Sequence, residues 1–533
     1  MGLALVYFGI AVTAPRVVGL WQDDAIYVAT AKSLAQGTGY RHVELPEAPY
    51  QTKYPVLYPA LLAPAFWIAA YPRNLPLLLA PTALAGAMLV GLSILYWRRV
   101  WGAPRAYALW VGALAAASPV LIEFVRYTMS DLVYGAFAVA TLYCVDSVVL
   151  DDTQNASRRR AAMVGAAAFL ALAVLTRSIG VTLLAGCVAV ALYRRQVWAA
   201  VGIGAPALAA LAGWWGWQGA AGRANRSIGD AFLAGPELGY AMWLPSGVGD
   251  VLRVGGQNLF RSTEVLGDHL ALPAGLASHA LTSASAWTVC VHVLCYAAAL
   301  LALAGFASTL RTRLRAVHVY AVLYGALVLA WPFDPGRFLL PWAPFVLYFL
   351  LEGVRRLGWS RGPAVVAVVL ALAFATEDLK ILASDDESYY LRELPDEIDL
   401  RERRQVEQWI RENVSGSQVV ASPIPAGIYL ETGRQGHFLW PDHDPYALYA
   451  GSDRQWTQLY ALHSPSEALW LLADMRQHLE PAYAQAGIDY FVENDYGIEA
   501  LILARTRPSG FSLAFQSRGG SMRIYSRESP PVR

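Results

Sequence analysis

Charged residues are scarce in this chain. Asp, Glu, Lys and Arg make up 15% of its 533 residues and hydrophobic residues make up 56%, whereas an ordinary soluble domain is about 25% charged. This shortage excludes a water-exposed surface along the whole chain. The apolar residues form long runs as far as about residue 376, and 377–533 has the composition of a soluble protein. The sequence therefore predicts a membrane domain over 1–376 and a soluble domain over 377–533.

No concentration of positive charge marks a face for nucleic acid. The formal net charge is +1, and the arginines cluster only in short connections between apolar runs. Nucleic-acid-binding proteins instead carry a basic face or stripe. We therefore expect no nucleic-acid partner.

Cysteine is also scarce, and its positions exclude a disulfide framework. Such frameworks belong to small, exposed domains in oxidising surroundings, but every cysteine here lies within an apolar run. None has the CxxC or His-rich spacing of a metal site beside it. We expect all four to be packing residues, namely Cys144, Cys187, Cys290 and Cys295.

The long apolar runs predict membrane-spanning helices. A helix needs about 20 largely apolar residues to cross the hydrocarbon core. The first run, from Leu3 to Trp21, lacks the basic start and cleavage site of a signal peptide, so we interpret it as a membrane helix. About eleven spans are predicted, at 3–21, 76–97, 106–122, 129–150, 161–176, 178–193, 197–217, 285–308, 316–331, 339–353 and 363–376.

Arginines recur at every second connection between these predicted spans. Basic connections face the cytoplasm in membrane proteins, so the pattern predicts a cytoplasmic N-terminus and long outside loops at 22–75 and 218–284. An odd number of spans then places 377–533 outside the cytoplasm. We expect a multi-pass protein of the inner (plasma) membrane. The basic connections contain Arg98, Arg99 and Arg105, then Arg158 to Arg160, Arg194 and Arg195, Arg311, Arg313 and Arg315, and Arg355, Arg356 and Arg361.

The region after residue 376 alternates between helical and strand-like segments. The pattern predicts helices at 401–413 and 466–486, and strands at 418–421, 428–430 and 490–492. This alternation indicates a small α/β domain.

The soluble domain lacks the common catalytic motifs. It has no GxSxG, no Gly-rich phosphate loop and no HExxH. Two histidines, His437 and His443, stand near Asp442 and Asp444, and we favour a polar surface loop over a metal site for this group. The chemistry is therefore expected in the membrane domain.

The first outside loop begins with two adjacent carboxylates, Asp23 and Asp24. One acid could be a helix N-cap, but two acids at a membrane boundary are costly enough to suggest function. Both alternatives stay open on the residues alone. The following segment predicts an amphipathic helix along the membrane interface, with Ala25, Ile26, Ala29 and Leu34 on its apolar face.

Basic residues occur on the predicted outside face at four further positions. Lys53 lies in the first loop, Arg126 stands shortly before Asp131, and Arg177 and Arg337 lie at helix ends. Arginines at helix ends often extend their charge to the interface. Because arginine is otherwise concentrated on the inside, these outside residues are candidates for binding an anion.

The motifs of this loop, in their order, resemble the GT-C superfamily of membrane glycosyltransferases. They are Asp-Asp-Ala-x-Tyr at 23–27, Gly-x-Gly-Tyr at 37–40 and Lys-Tyr-Pro-x-Leu-Tyr at 53–58. The segments 175–180 and 334–341 resemble later elements of the family. The most similar branch contains the protein O-mannosyltransferases and the lipid A aminoarabinose transferases. The fold expected is a GT-C-like, α-helical polytopic membrane domain with an appended soluble α/β domain.

The resemblance implies roles for two residues of the loop. The first acid of the pair is catalytic in that family, which points to Asp23, and the lysine of the family's Lys-Pro-Pro-Leu motif contacts the lipid phosphate, which points to Lys53. Tyr54 stands here in place of the first proline. The family also implies inversion at the sugar carbon.

A polyprenyl-phosphate sugar donor accounts for these residue types. Cleavage of the sugar–phosphate bond requires cations beside the departing phosphate, and the acceptor hydroxyl requires a general base, which a partly desolvated carboxylate with a raised pKa provides. The acceptor is expected to be a lipid, a glycan or a protein. Paired acids can also hold Mg²⁺ or Mn²⁺, so a divalent cation is left open and no metal site is assigned. We assign Asp23 and Asp24 as catalytic, with Asp23 as the base and Asp24 either orienting it or holding the sugar. Lys53, Arg337 and Arg126 are assigned to the donor phosphate, and Asp131, Tyr27 and Arg177 to positioning the sugar or acceptor.

Two other functions stay open. A transporter or lipid-sugar flippase would carry charges deep in its spans and paired broken helices, whereas these charges lie at outer loop ends. A binding module that has lost activity would be expected to lack Asp23, which is present.

Overall fold

A computed structural model describes most of the membrane domain and part of the soluble domain. The described residues are 1–13, 18–20, 22–149, 155–226, 286–331, 336–383, 400–438, 487–494 and 510–528, together with isolated positions between 248 and 270.

Each of the eleven predicted apolar segments contains helix, although in 3–21 the helix ends at Thr13 and 14–17 and Trp21 lie outside the described residues. The predicted span 106–122 is two helices, because Pro119 begins a new helix after a break at Ala117 and Ser118. The predicted span 129–150 ends in a π-helical turn at Val145–Val149. The helices are α1 (Gly2–Thr13), α2 (Asp23–Ala35), α3 (Leu57–Leu62), α4 (Ala65–Ile68), α5 (Leu75–Val100), α6 (Arg105–Ala116), α7 (Pro119–Phe124), α8 (Asp131–Cys144), α9 (Ala156–Thr176), α10 (Gly180–Tyr193), α11 (Val197–Arg226), α12 (Ala286–Thr312), α13 (Ala316–Ala330), α14 (Gly336–Leu339), α15 (Ala343–Arg356) and α16 (Gly362–Ala383).

Six stretches of helix within the described residues are long and apolar enough to cross a membrane. They lie in α5, α9, α11, α12, α16 and the continuous run from α14 to α15. Four shorter apolar helical stretches accompany them, in α1, α3 with α4, α10 and α13. The protein is therefore a helical polytopic membrane protein, as predicted.

Helices α12 and α15 approach each other backbone to backbone. A Cβ atom added at Gly305 would lie 1.9 Å from the Phe349 carbonyl oxygen, and one added at Gly353 would lie 1.9 Å from the Leu301 carbonyl oxygen. Small residues allow membrane helices this close contact. Because α15 continues the run that begins at α14, the contact also fixes the position of Arg337 near the start of that run.

Basic connections meet one another at one end of the helical domain. The Arg194 guanidinium after α10 donates to the Leu314 carbonyl oxygen before α13 at 2.6 Å. Trp101, after α5, packs on Tyr348 of α15 with ring centroids 4.5 Å apart, close to the basic end of that helix. The candidate site residues lie at the other end of the helical domain. Arg177 precedes α10, Arg337 precedes α15, and Asp131, the first residue of α8, is the ion-pair partner of Arg177.

The soluble domain contains a five-stranded mixed sheet of order β2-β1-β3-β5-β4. Strand β1 is parallel to both β2 and β3, whereas β5 is antiparallel to both β3 and β4. Two described helices accompany it, and Val406 and Ile410 of the first pack in one core with Val492 and Ile524 of the sheet. The elements are α17 (Leu400–Asn413), β1 (Val419–Ser422), α18 (Pro425–Thr432), β2 (Gly436–Phe438), β3 (Ile488–Asn494), β4 (Phe511–Gln516) and β5 (Met522–Arg527).

The predictions for this domain are confirmed in part. The helix at 401–413 and the strands at 418–421 and 490–492 are present as α17, β1 and β3. The strand predicted at 428–430 is wrong, because this segment lies inside helix α18, which begins at Pro425 and ends at Gly433 in the left-handed conformation. The predicted helix at 466–486 lies outside the described residues.

Helix α2 is buried on all sides, so the prediction of an amphipathic interfacial helix is wrong. Ten of its 13 residues are buried. Helix α18 of the soluble domain covers one side, and its Ala426 and Leu430 belong to the same hydrophobic core as Ala25 and Ile26 of α2. The helix is therefore enclosed between the membrane domain and the soluble domain.

Candidate active site

The two adjacent acids lie in the first turn of α2. Asp23 and Asp24 are its first residues, and carboxylates are favoured there by the positive end of the helix dipole. The N-cap position is Gln22, whose φ of 60° is left-handed and whose side chain makes no capping hydrogen bond. The helix-cap explanation for the acids is therefore wrong, since neither occupies the N-cap.

Asp23 lies between two cationic side chains and a tyrosine. Its Oδ2 is 2.6 Å from Nη2 of Arg337, and its Oδ1 accepts a hydrogen bond from the Tyr54 hydroxyl. Lys53 adds a second positive charge nearby. These side chains come from three separate elements, namely α2, the loop before α3 and helix α14.

The electrostatics of Asp23 differ from the prediction of a raised pKa. Burial alone raises the pKa of this carboxyl group, but the charges of Arg337 and Lys53 and the Tyr54 hydrogen bond outweigh it. The pKa of Asp23 therefore lies below its usual value. The side chain is a carboxylate, ready to accept a proton, at any physiological pH.

Asp24 faces away from Asp23 and holds the chain segment that precedes the helix. Its Oδ2 accepts the backbone N–H of Gly19 at 2.7 Å and of Leu20 at 3.2 Å. Burial raises the pKa of Asp24 above its usual value. The described contacts of Asp24 are thus with backbone N–H groups, and its catalytic role stays a prediction.

The loop carrying Lys53 is fixed by α11. The Trp217 indole donates to the Gln51 carbonyl oxygen at 3.1 Å, and the Gln218 amide donates to the Thr52 carbonyl oxygen at 2.6 Å. Lys53 itself is half-buried, with Nζ 5.0 Å from the centre of the Tyr54 ring. The loop thus presents an ammonium group and a phenol toward Asp23.

A second ion pair lies beside the first. Nη1 of Arg177 is 2.7 Å from Oδ1 of Asp131 and 3.2 Å from the Ser130 hydroxyl. Ser130 also shares a hydrogen bond of 3.1 Å with the Tyr27 hydroxyl. The Tyr27 ring packs edge-on against the rings of Tyr54 and Tyr58, so it connects the two ion pairs.

The Asp131–Arg177 pair gives a stability prediction. Removing one member leaves the other charge buried without its partner, which costs about 3–5 kcal/mol, whereas removing both is less costly. We expect Asp131→Asn and Arg177→Gln each to lower the apparent melting temperature of the purified protein more than the double variant does. Thermal unfolding in one detergent measures this order. Equal shifts that add in the double variant would show that the pair contributes no coupling.

Arg126 lies in different surroundings from the other predicted cations. It is buried just after α7, and its charge neighbours are Tyr127 and Glu123. Burial lowers the pKa of this guanidinium. The structure thus groups Asp23, Lys53 and Arg337, whereas the role of Arg126 at the donor phosphate stays a prediction.

Sequence reasoning did not find the roles of Tyr54 and Ser130. Tyr54 was interpreted as a departure from a proline motif, yet its hydroxyl binds the predicted catalytic acid. Ser130 bridges Tyr27 and Arg177. Both residues could have been proposed from the sequence, because Tyr54 is adjacent to Lys53 and Ser130 is adjacent to Asp131, and a residue next to a site residue lies close to the site.

Among the described residues, no group of three or more His, Cys, Asp or Glu side chains is placed to hold a metal ion. His437 lies in β2, whereas 442–444 is outside the described residues. A divalent cation is therefore not assigned to this site.

The arrangement of helices is similar to that of solved membrane-protein structures over nearly the whole chain, which agrees with the predicted resemblance at the level of fold. The structure is similar to ArnT from Cupriavidus metallidurans in the apo state, with a TM-score of 0.60, 13% identity and coverage of 99% of this chain and 98% of that one. It is also similar to the same protein bound to undecaprenyl phosphate, with a TM-score of 0.51, 14% identity and coverage of 99% and 98%.

A third similar structure is the oligosaccharyltransferase of Archaeoglobus fulgidus in complex with zinc and sulfate. The TM-score is 0.50 at 14% identity, over 99% of this chain and 72% of that chain. No protein-family model and no curated protein matches the sequence. The likeness is therefore one of fold.

Proposed function

We propose that this protein is a glycosyltransferase that moves a sugar from a polyprenyl-phosphate donor to an extracytoplasmic acceptor, which is a lipid, a glycan or a protein. The observation that carries the proposal is the buried contact of Asp23 with Arg337 and Tyr54, beside Lys53. The fold supports it, because a protein of the same fold binds undecaprenyl phosphate. The donor, the acceptor and the bilayer are the proposed partners.

The reaction follows from the charges of the site. The acceptor hydroxyl oxygen attacks the anomeric carbon of the sugar, and the bond from that carbon to the phosphate oxygen breaks. The electron pair of that bond leaves with polyprenyl phosphate, whose added charge Arg337 and Lys53 stabilise. The hydroxyl proton passes to Asp23. Attack opposite the leaving phosphate inverts the anomeric centre.

Donor binding activates the base in this scheme. In the free protein Arg337 binds Asp23 at 2.6 Å, and a donor phosphate is an anion that competes for the same guanidinium. Once Arg337 turns to the phosphate, Asp23 keeps its burial but loses its strongest charge partner, so its pKa rises. The carboxylate becomes a stronger base only when the donor is present.

This competition predicts a separation of two pH profiles. The profile of kcat/KM reports the free protein and that of kcat reports the donor complex. Because the pKa of the free carboxyl group is lowered by Arg337 and Lys53, the acidic limb of kcat/KM is expected at lower pH than the acidic limb of kcat. Rates measured over a range of pH in wild type and in Asp23→Asn give both limbs. A kcat/KM limb that lies at the same pH as the kcat limb, or above it, would contradict the proposed competition.

The ion pair of Asp131 and Arg177 is proposed to bind hydroxyl groups of the sugar or the acceptor. Asp131, Arg177 and Tyr27 offer an acid, a guanidinium and a phenol within one buried network, and sugar hydroxyls are bound by such donors and acceptors. We assign them to positioning the sugar or the acceptor. Arg126 is assigned to the lipid side of the donor phosphate.

The site is proposed to face away from the cytoplasm, in the inner membrane. The contacts between basic connections at the opposite end support this orientation. It places the N-terminus in the cytoplasm and both the loops 22–75 and 218–284 and the domain 377–533 outside. Cysteines introduced at exposed positions, such as Arg404 and Arg105, test it through labelling of intact cells, which should reach only the first.

Reconstitution with a panel of polyprenyl-phosphate sugars tests the function. Wild-type protein with an extracted membrane lysate, which supplies lipid, glycan and protein acceptors, is expected to release free polyprenyl phosphate from at least one donor. Movement of a labelled donor between leaflets without such release would instead favour a flippase. No release from any donor would overturn the proposal.

A further inference from the structure

Arg403 of the soluble domain reaches the chain segment that Asp24 holds. Nη1 donates to the Gly19 carbonyl oxygen at 3.1 Å, and Nη2 donates to the Val18 carbonyl oxygen at 2.9 Å. Arg403 is 5% exposed and lies in α17. It is thus a buried cation of one domain inserted against the backbone of the other.

The carbonyl groups and the N–H groups belong to the same two peptide units. The unit joining Val18 to Gly19 accepts from Arg403 at its oxygen and donates to Asp24 from its nitrogen. The unit joining Gly19 to Leu20 does the same. Because hydrogen bonds at the two ends of a peptide polarise one another, a guanidinium on the oxygens strengthens donation to the carboxylate. A continuous chain of hydrogen bonds therefore connects Arg403 to Asp24 through these two peptide units.

Two glycines make room for the guanidinium. A Cβ atom added at Gly427 would lie 2.7 Å from Nη2 of Arg403, and one added at Gly19 would lie 3.1 Å from the same atom. Gly19 also has a φ of 93°, which L side chains rarely adopt. Glu407 completes the slot, with Oε1 2.7 Å from Nε of Arg403. The slot therefore fits a planar guanidinium, each of whose three nitrogen atoms has a partner: Gly19 at Nη1, Val18 at Nη2 and Glu407 at Nε.

We propose that Arg403 is a positioning residue for the acidic turn of α2: through the two peptide units it holds Asp24, and thereby sets Asp23 against Arg337 and the donor. This inference rests on the proposed glycosyl transfer for its kinetic consequence. Its structural part, the link from the soluble domain to residues 18–24, stands on the contacts alone. It assigns the soluble domain a part in the reaction through a residue that positions the acidic turn without touching the reacting atoms.

Further contacts hold α18 and β2 of the soluble domain against α2 and the first loop. The Tyr71 hydroxyl donates to Glu431 at 2.6 Å, and Lys32 donates to the Tyr429 hydroxyl at 3.1 Å. The backbone N–H of Gly436 donates to the Glu44 carbonyl oxygen at 2.9 Å. Loss of Arg403 alone therefore leaves other bonds to hold the domains together.

The test compares Arg403→Gln with Arg404→Gln in the full-length, reconstituted protein. Arg404 is the exposed neighbour on the same helix, so its variant removes the same charge outside the slot. We expect Arg403→Gln to lower kcat about 10- to 100-fold, because small misplacements of catalytic groups cost up to about 100-fold. The donor KM should change less than threefold, since Arg337 and Lys53 remain. Arg404→Gln should leave both constants within twofold.

Hydrogen exchange gives a readout that does not depend on activity. Arg403→Gln is expected to speed exchange of the Gly19 and Leu20 amides while β3 and β5 exchange as in wild type. If wild-type protein shows no glycosyl transfer, the proposed function fails. The exchange rates of the Gly19 and Leu20 amides then still show whether Arg403 holds residues 18–20. Unchanged exchange at both amides with an unchanged kcat would overturn the inference.

A second variant covers loss of folding. If Arg403→Gln speeds exchange throughout β3 and β5, the soluble domain has unfolded. The variant Gly427→Ala then tests the inference in its place. Its added Cβ displaces the guanidinium but keeps Arg403. The expected result is again a fall in kcat with an unchanged donor KM, and a wild-type kcat with wild-type exchange would count against the inference.

Discussion

Asp23→Asn is expected to lower kcat by about 10³-fold, the middle of the range for loss of a general base. The amide has the shape of the carboxyl group but cannot take the acceptor proton. Because the substitution also frees Arg337 from its ion pair, the donor should bind as tightly as before or more tightly. Release of polyprenyl phosphate and equilibrium binding of the donor measure the two effects separately.

Glu412→Gln is the matched control for this loss of one carboxylate. Glu412 is exposed at the end of α17, and its variant should keep wild-type rates. A kcat for Asp23→Asn within tenfold of wild type would remove Asp23 from the reaction, whereas a weaker donor affinity would assign it to binding.

Arg337→Gln is expected to lower kcat/KM for the donor by about 10²- to 10³-fold, the range for loss of one group that stabilises developing charge. It also leaves the Asp23 carboxylate buried without its nearest cation, so the pKa of Asp23 should rise. The acidic limb of kcat/KM should therefore move to higher pH. Arg337→Lys keeps the charge but not the fork of donors, and should recover part of the loss.

The double variant Asp23→Asn with Arg337→Gln tests the same pair through stability. Removing the unpaired carboxylate along with the guanidinium should restore much of the melting temperature lost in Arg337→Gln. Activity should stay lost. If the double variant melts below Arg337→Gln, the two side chains do not act as a buried ion pair.

The helical membrane domain could be predicted because its signal is local. Each apolar run is long enough to be recognised from the sequence, and each of the eleven predicted segments contains helix within the described residues. The break before Pro119 was not predicted. Hydrophobicity is averaged over many residues when a span is recognised, whereas the end of a helix depends on one or two residues. The segment 428–430 was misassigned for the same reason, since three apolar residues fit a strand or a helix and only the flanking Pro425 and Gly433 decide.

The site was predicted as a set of residues but not as a set of contacts. Asp23, Lys53 and Arg337 were assigned to one reaction, yet the direction of the pKa of Asp23 was wrong. Its value depends on which charges lie within a few ångströms, and Arg337 is more than 300 positions away in the sequence. Tyr54 and Arg403 were missed for this reason as well.

The burial of α2 under α18, and the hydrogen bond from Arg403 to Val18 over 385 positions, set an order on the biogenesis of the protein. The first turn of α2 leaves the ribosome well before the slot that receives the backbone preceding it, because Asp23 stands 380 positions before Arg403 in the sequence. Contacts of such long sequence separation form late in folding. Newly made chains are thus expected to have an incompletely positioned acidic turn until the C-terminal domain has folded onto α2, so that activity appears only when the whole chain has been made.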